Sequence, residues 1–196
     1  MKHPVLSLAL ILTTLAVPAN AQAPVAQPKV TFQNLTFGEP PQIVKTKLSK
    51  FKLEHDKGDI VSFKGEVGGE PALVYTSYTP KTKKLRNVGV YFTSGNKDSI
   101  YLVKNRYERF VEILTKKYGA PTDTFAFYSS PYEEGDGYEL QAIRMGKGNF
   151  MSYWKLEDGI IACEIDKDLD IKVVYENRKY TDIGKQEAEA AMSGDL

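Results

Sequence analysis

The segment “SIYLVKNRYERFVEILTKKYGAPT” (residues 99–122) decides the fold, because it carries the clearest helical periodicity in the chain. Its apolar and aromatic residues recur at the spacing of one helix face, namely at Val103, Tyr107, Phe110, Val111, Leu114 and Tyr118. Asp98 or Ser99 can cap the start of this helix. Gly119 allows the backbone to turn out of it, and Pro121 prevents its continuation. The sequence therefore predicts a long helix from about Asp98 to Tyr118. Every residue of “KKYGAP” is explained by the way this helix ends, so none of them needs a chemical role.

Segments with strand-like composition and alternation lie on both sides of this helix. Before it they are “DIVSFKGEV” (59–67), “PALVYTSYT” (71–79) and “LRNVGVYFTS” (85–94). After it they are “TFAFYSS” (124–130), “YELQAIRM” (138–145), “NFMSYWKLE” (149–157), “GIIACEI” (159–165) and “LDIKVVYEN” (169–177). The dipeptide Asp158-Gly159 predicts a tight hairpin, because glycine accepts the positive φ that such turns use.

Two further elements are predicted near the start. “VTFQNLTF” (30–37) alternates as a strand does, and “EPPQIVKTKLSKF” (39–51) has helical spacing, with its two prolines in the first turn. The resulting order predicts an α+β fold. We expect an antiparallel curved β-sheet with one long helix and one shorter helix packed on one face. The alternative is a pair of helix-plus-meander halves.

The N-terminus predicts export. A short basic start, the apolar run “VLSLALILTTLAV” (5–17) and the small residues “ANA” (19–21) form the pattern of a secretory signal peptide. The run is shorter than the ~20 residues that cross a bilayer. We therefore predict a signal peptide at 1–21, a flexible spacer at 22–29, a single α+β domain at 30–180, and a C-terminal tail or short helix at 181–196. No integral membrane segment is expected after signal removal.

Charge and cysteine usage narrow the function. The formal net charge of the 196-residue chain is +1, which argues against nucleic acid as a partner, since nucleic-acid-binding domains are normally basic. Cys163 is the single cysteine, so no intrachain disulfide can form. Its apolar neighbours predict a buried strand thiol rather than a reactive one.

Histidine chemistry is nearly excluded, because the chain has 2 histidines and His3 lies in the predicted signal peptide. His55 lies in the polar, turn-like “LEHDKGD” (53–59) and is read as a surface residue. No catalytic constellation and no cofactor motif is recognisable, so we predict a non-catalytic protein with no cofactor.

Acidic clusters are the remaining polar candidates. Glu133, Glu134 and Asp136 lie in “YEEGDGYE” (132–139), which its glycines predict to be a mobile, solvated loop. An alternative function, a carboxylate-dependent hydrolase acting on glycans, would need two such acids to converge on a cleft.

The aspartates of “DKDLDIKVVYEN” (166–177) have a calcium-loop spacing, at Asp166, Asp168 and Asp170. An EF-hand loop needs glycine at its sixth position and glutamate at its twelfth. Ile171 and Asn177 occupy those positions. The segment therefore predicts a hairpin turn, and the three aspartates remain only weak candidates for a metal site.

Two aromatic residues are candidates for binding. Tyr91 and Tyr153 alternate with apolar residues, so they are predicted to lie on the sheet face opposite to the core. Exposed tyrosines can stack on sugar rings or anchor a protein partner.

The long helix ending in “KKYGAPT” (116–122), with the later “YWKLEDGIIACEI” (153–165) and “IKVVYEN” (171–177), resembles small uncharacterised exported proteins of Gram-negative bacteria. The helix-then-meander order is similar to β-lactamase-inhibitor-like folds and to small outer-membrane-assembly proteins, over about the whole mature chain. The chain departs from the assembly lipoproteins, because no lipidated cysteine follows its apolar run. The predicted signal peptide implies a periplasmic or extracellular location. The resemblance adds a Gram-negative bacterium as the source and transfers no functional residue.

These observations lead to one main hypothesis. The chain is expected to be an exported, non-catalytic protein that binds an envelope protein or a glycan through its sheet face or loops. The alternatives are the glycan hydrolase and a structural component of the envelope.

Overall fold

A computed structural model of the protein describes residues 28–93 and 95–194. Within these residues the chain forms one eight-stranded antiparallel sheet and four helices, which confirms the α+β class. The predicted signal peptide (1–21) and most of the predicted spacer (22–29) lie outside the described residues. No helix in the described part of the chain is long and apolar enough to cross a membrane.

The elements follow one another with short connections. In chain order they are α1 (Pro41–Lys47), β1 (Lys52–Lys57), β2 (Ile60–Val67), β3 (Glu70–Tyr78), β4 (Leu85–Phe92), α2 (Ile100–Tyr118), β5 (Asp123–Tyr128), α3 (Glu139–Arg144), β6 (Gly148–Lys155), β7 (Gly159–Ile165), β8 (Ile171–Asn177) and α4 (Arg178–Gly194). The strand order across the sheet is β1-β2-β3-β4-β8-β7-β6-β5. Strands β1 and β5 are therefore the two edges.

The sheet consists of two four-stranded meanders joined through their last strands. Strands β1–β4 form the first meander, β5–β8 form the second, and β4 pairs with β8 along six residue pairs from Asn87↔Glu176 to Phe92↔Ile171. The structure combines the predicted single sheet with the predicted alternative of two helix-plus-meander halves. Each half of the sheet is preceded in the chain by a helix.

Helix α2 covers the sheet near its middle, where it packs on β7 and β8. Five of the six residues of the predicted stripe are buried and Val111 is half-buried, the buried ones being Val103, Tyr107, Phe110, Leu114 and Tyr118. The rings of Phe110 and Phe92 lie 4.4 Å apart, so the helix is anchored on the joint between the two meanders.

The end of α2 is fixed by the sheet as well as by its own sequence. Gly119 follows the helix with φ of 85°, a conformation that favours glycine. The indole Nε1 of Trp154, on β6, donates a hydrogen bond of 2.8 Å to the carbonyl oxygen of Gly119. At the other end Ser99 occupies the N-cap position but makes no side-chain capping bond. The “KKYGAP” stop is confirmed, whereas side-chain capping at Ser99 is not observed.

The predicted strand at 30–37 is wrong. Phe32 and Leu35 form an isolated bridge across a tight turn in which Gln33 has φ of 49°. Both apolar side chains are buried, because the turn rather than a ladder points them into the core. The alternation of apolar residues therefore has a different cause from the one inferred.

Two further predictions of secondary structure are wrong. Strand β1 falls on the stretch read as a polar turn, and all six of its residues are exposed, so no alternation marks it. The segment 138–145, predicted as a strand, contains helix α3, which packs on β6. Its neighbours Ala142 and Ile143 are both buried, and adjacent residues can share one buried face in a helix but not in a strand.

The C-terminal region forms a helix, one of the two predicted alternatives, and this helix starts before the predicted boundary. Helix α4 covers residues 178–194, begins directly after β8 and packs on β4, β7 and β8. The boundary predicted at residue 180 therefore falls inside a helix. Its first half carries the buried positions, Thr181 and Gly184.

The hairpin at Asp158-Gly159 is confirmed, but its glycine serves another purpose than the predicted one. Gly159 is absent from the positive-φ residues of the described chain. A Cβ atom at this position would lie 1.9 Å from the carbonyl oxygen of Glu176. Glycine is therefore required because β7 and β8 approach each other closely here.

Candidate ligand-binding cleft

A large cavity lies between α2 and strands β5 and β6. Its volume is about 650 Å³. Its walls are formed by Lys104, Tyr107, Glu108, Val111, Glu112, Thr124, Ala126, Phe127, Tyr128, Tyr132, Glu133, Glu134, Phe150 and Ser152. We call this cavity the α2–β5 cleft. A second cavity of about 370 Å³ shares Lys104, Glu108, Tyr128 and Glu134 with it and extends it toward the start of α2.

The cleft exists because the helix covers the middle of the sheet and leaves the β5 side open. Thr124 and Ala126 pair with Ser152 and Phe150, so all four share the face that α2 covers. Ser152 and Phe150 are buried, whereas Thr124 and Ala126 remain exposed. The two β5 side chains are also small, which leaves room above them. The part of this sheet face that α2 does not cover is thus a groove at the surface.

A chain of hydroxyl groups forms the floor. The Tyr107 hydroxyl lies 2.7 Å from Ser152 Oγ, which lies 2.9 Å from Thr124 Oγ1. Burial raises the pKa of Tyr107 to about 12, although its bond to Ser152 acts in the opposite direction. Ser152 is completely buried. These hydroxyls satisfy one another and link α2 to both strands.

Tyr128 differs from Tyr107, because its hydroxyl has no partner in the part of the chain that the structure describes. This oxygen is buried, and no group in the described residues hydrogen-bonds to it. Burial raises the pKa of Tyr128 to about 12, and nearby Glu139, Glu134 and Asp136 act in the same direction. The residue lines both cavities, and its ring makes an edge contact of 5.4 Å with Phe150. A buried polar group without a partner is uncommon in folded proteins.

The acidic loop closes one end of the cleft and is internally hydrogen-bonded. Asp136 Oδ2 accepts a bond of 2.9 Å from the backbone N–H of Glu133, and its Oδ1 accepts one of 2.7 Å from that of Tyr138. Gly135 donates a 2.8 Å bond to Glu139. Asp136 therefore shapes the turn, while Glu133 and Glu134 border the cleft.

One ion pair ties this loop to α2. Lys104 Nζ lies 2.8 Å from Glu134 and 5.2 Å from the centre of the Phe150 ring. The pair lowers the pKa of Glu134, mainly through its hydrogen bond to Lys104. A general acid in a glycosidase needs the opposite shift.

The electrostatic character of the rim is acidic. Four carboxylates and one ammonium group line the cleft, from Lys104, Glu108, Glu112, Glu133 and Glu134. Glu134 pairs with Lys104, and Glu112 pairs at 2.6 Å with Lys116 on the same helix. Within the described residues no ion pair engages the other two carboxylates. The cleft thus combines apolar walls with unneutralised negative charge.

The two predicted aromatic residues lie on the opposite face of the sheet. Tyr91 makes an edge contact of 5.2 Å with Tyr75, and the ammonium of Lys172 lies 5.6 Å from its ring. Tyr153 stacks on Phe125 at 6.0 Å. Both tyrosines are half-buried. The structure therefore does not bring Tyr91 and Tyr153 together with Glu133 and Glu134.

The predicted aspartate turn connects β7 and β8, as the hairpin interpretation requires. Asp166 Oδ1 accepts backbone hydrogen bonds from Asp168 at 2.8 Å and Asp170 at 2.9 Å. Asp170 pairs with Lys97 at 2.5 Å. Among the described residues no group of three His, Cys, Asp or Glu side chains is placed to share a metal ion.

The other two reactive side chains lie away from the cleft. His55 is exposed on β1, at the opposite edge of the sheet from β5, so it cannot activate Ser152. Cys163 is buried on β7, and burial raises the pKa of its thiol strongly. The buried-thiol prediction and the surface-histidine prediction are both confirmed.

Sequence reasoning missed most of the cleft. Tyr107 was recognised only as part of the apolar stripe, and Tyr128 and Ser152 only as strand residues. The composition of β5 could have given a signal, because “TFAFY” (124–128) is uncharged yet carries small residues at alternate positions.

Comparison with known proteins finds no family model, curated protein or solved structure that matches this chain.

Proposed function

We propose that the protein is an exported, non-catalytic binding protein of the cell envelope, and that it holds its ligand in the α2–β5 cleft. Ligand sites are typically concave and largely apolar, with volumes of about 300–1,000 Å³ and a few placed polar groups. The cleft has a volume of about 650 Å³ and this kind of lining.

The observation that carries this proposal is the Tyr128 hydroxyl. The residue Tyr128 lines both cavities, and its hydroxyl oxygen is buried without a hydrogen-bond partner in the described residues. Leaving a buried hydroxyl unpaired destabilises a folded protein by about 1–3 kcal/mol. A ligand that offers a polar atom at this position would recover that energy on binding.

The charges of the rim indicate the chemistry of the ligand. Glu108 and Glu133 border the cleft without ion pairs in the described residues, whereas Lys104 is already paired with Glu134. Tyr107, Phe150 and the small β5 side chains below them offer an apolar surface. A ligand with an apolar or aromatic body and a cationic group fits this combination.

Binding of tryptamine, an indole with an alkylammonium group, tests the proposal. We expect saturable binding by calorimetry and NMR shifts at residues that line the cleft. Ala126→Leu should weaken this binding at least about tenfold, because the larger side chain fills the floor. Ala126 is exposed, so folding should survive.

The matched control is Ala120→Leu, the same change at an exposed residue that lines no cavity described above. This variant should bind tryptamine as the unchanged protein does. No saturable binding, or equal binding by both variants, would count against the cleft as the site.

One observation favours a second candidate, a glycan hydrolase. Glu133 and Glu134 both border the cleft, as the carboxylate hypothesis requires of two acids. Glu134 has a lowered rather than a raised pKa, which suits a charge partner better than a general acid. Turnover of soluble peptidoglycan fragments that Glu133→Gln or Glu134→Gln abolishes would favour the hydrolase instead.

A further inference from the structure

The two edges of the sheet are built differently. Strand β1 is “KLEHDK” (52–57), with charged residues along its length and a register shift between Leu53 and His55. Strand β5 is “DTFAFY” (123–128), with Asp123 as its only charge and six consecutive pairs to β6. Natural sheets protect exposed edges with charges, lysine in particular, and with bulges. Edge β1 is protected in this way and edge β5 is not.

The open edge also carries exposed apolar side chains. Phe125 is 39% exposed on the outer face beside Tyr153, and Phe127 is 47% exposed and borders the cleft. In the described residues β5 pairs with β6 alone. Its outward backbone groups are therefore available to another strand.

We propose that the ligand of the α2–β5 cleft is an extended peptide segment of a partner protein, which adds to β5 as a ninth strand. The inference rests on the proposed function, since it assigns the occupant of the same cleft. Side chains of a strand alternate between two faces. One set would enter the cleft, and the other would pack beside Phe125.

Charge decides what the cleft-facing side chains are. The carboxylates of Glu108 and Glu133 at the rim form no ion pair with any described residue, so they favour lysine or arginine among these side chains. The outer set would be apolar, because Phe125 offers an uncharged surface. The segment recognised is thus an alternating sequence of apolar and basic residues.

A second copy of this chain fits the same edge less well. Pairing β5 with its symmetry mate would place two acidic clefts side by side and bring no cation to either. Strand β5 itself carries no basic residue to enter the cleft of its partner. The acidic rim therefore favours a basic segment of another protein over a second copy of this chain.

The experiment uses the full mature protein and the synthetic peptide TVKVKVT, with TVEVEVT as the charge control. We expect TVKVKVT to bind and TVEVEVT to bind at least about tenfold more weakly. Two N-methylated versions of TVKVKVT, methylated on odd or on even residues, test strand addition. One set of amide groups faces β5 and the other faces solvent, so only one version should lose binding.

Phe125→Lys supplies the variant, because it adds a protecting charge to the edge at an exposed position. This variant should bind TVKVKVT more weakly and should bind tryptamine as the unchanged protein does. Strand addition would be overturned if the two methylated peptides bind equally, or if TVEVEVT binds as tightly as TVKVKVT. The cleft proposal would stand in either case as long as tryptamine binds. If the unchanged protein binds neither tryptamine nor TVKVKVT, both the cleft proposal and the strand-addition proposal are refuted. A dimer in the unchanged protein that Phe125→Lys dissociates would assign the edge to a second copy instead.

Discussion

Two tyrosines in the same cleft should respond oppositely to the same substitution. Tyr128→Phe removes a buried hydroxyl that has no partner in the described residues, so we expect the free energy of unfolding to rise by about 1 kcal/mol. Tyr107→Phe removes a hydroxyl bonded to Ser152 at 2.7 Å, so we expect a loss of about 1–2 kcal/mol. Each phenylalanine preserves the ring contacts of the tyrosine that it replaces. The pKa of both tyrosines is about 12, so both are neutral at pH 7 and ionisation does not confuse the comparison.

Chemical and thermal denaturation of the two variants measures this difference directly. For a chain of this length 1 kcal/mol shifts the melting temperature by roughly 2–4 °C, so the variants should separate by roughly 4–12 °C. Tyr128→Phe should also bind tryptamine or the basic peptide more weakly, because the ligand loses its polar contact. A destabilisation of Tyr128→Phe equal to that of Tyr107→Phe would refute the reasoning, since the hydroxyl would then have a stabilising partner.

Three further predictions concern the scaffold. Gly159→Ala should lower the free energy of unfolding by about 1–3 kcal/mol, because its Cβ would overlap a backbone oxygen of β8; Gly89→Ala, whose Cβ would meet its nearest atom at 3.5 Å, is the control in urea denaturation, and equal effects would contradict the contact argument. Burial acts to raise the pKa of Glu70, but its two arginine partners outweigh burial and lower it. Glu70 should therefore contribute about 0.5–1 kcal/mol of stability above its unfolded pKa of about 4.3, and this should vanish as pH falls through the lower folded pKa. Glu70→Gln should be destabilising at pH 7, and this effect should fade as the pH falls through the folded pKa, as urea denaturation at a series of pH values would show. The thiol of Cys163 should react with a disulfide reagent only after unfolding, and rapid reaction of the native protein would show that the thiol is accessible.

Much of the fold is predictable because burial of one face makes apolar residues recur at regular intervals along the sequence. Helix α2 covers an apolar sheet, so its core residues recur at helical spacing. Strand β4 alternates because Val88, Val90 and Phe92 on one of its faces are buried in the core. Strand β1 could not be found in this way. It has no buried residue, so pairing to β2 alone defines it.

The site was harder to predict because it arises between elements. The acids Glu133 and Glu134 were singled out from composition, and the structure places them at the rim of the cleft. Tyr128 has the sequence environment of an ordinary strand residue. Its hydroxyl has no partner in the described residues, and this results from tertiary packing that no local pattern in the sequence records.

The joint between β4 and β8 also has a consequence for how the chain acquires its structure. Hairpins within each meander connect neighbouring segments, so they can form within microseconds. The pair Val88↔Tyr175, by contrast, joins segments separated by most of the domain. Closing so large a loop is entropically unfavourable before its contacts form, and non-local pairing of this kind slows folding. We therefore expect the docking of the two meanders to limit the folding rate. A truncated chain that ends before β8 should leave β4 as an unprotected apolar edge.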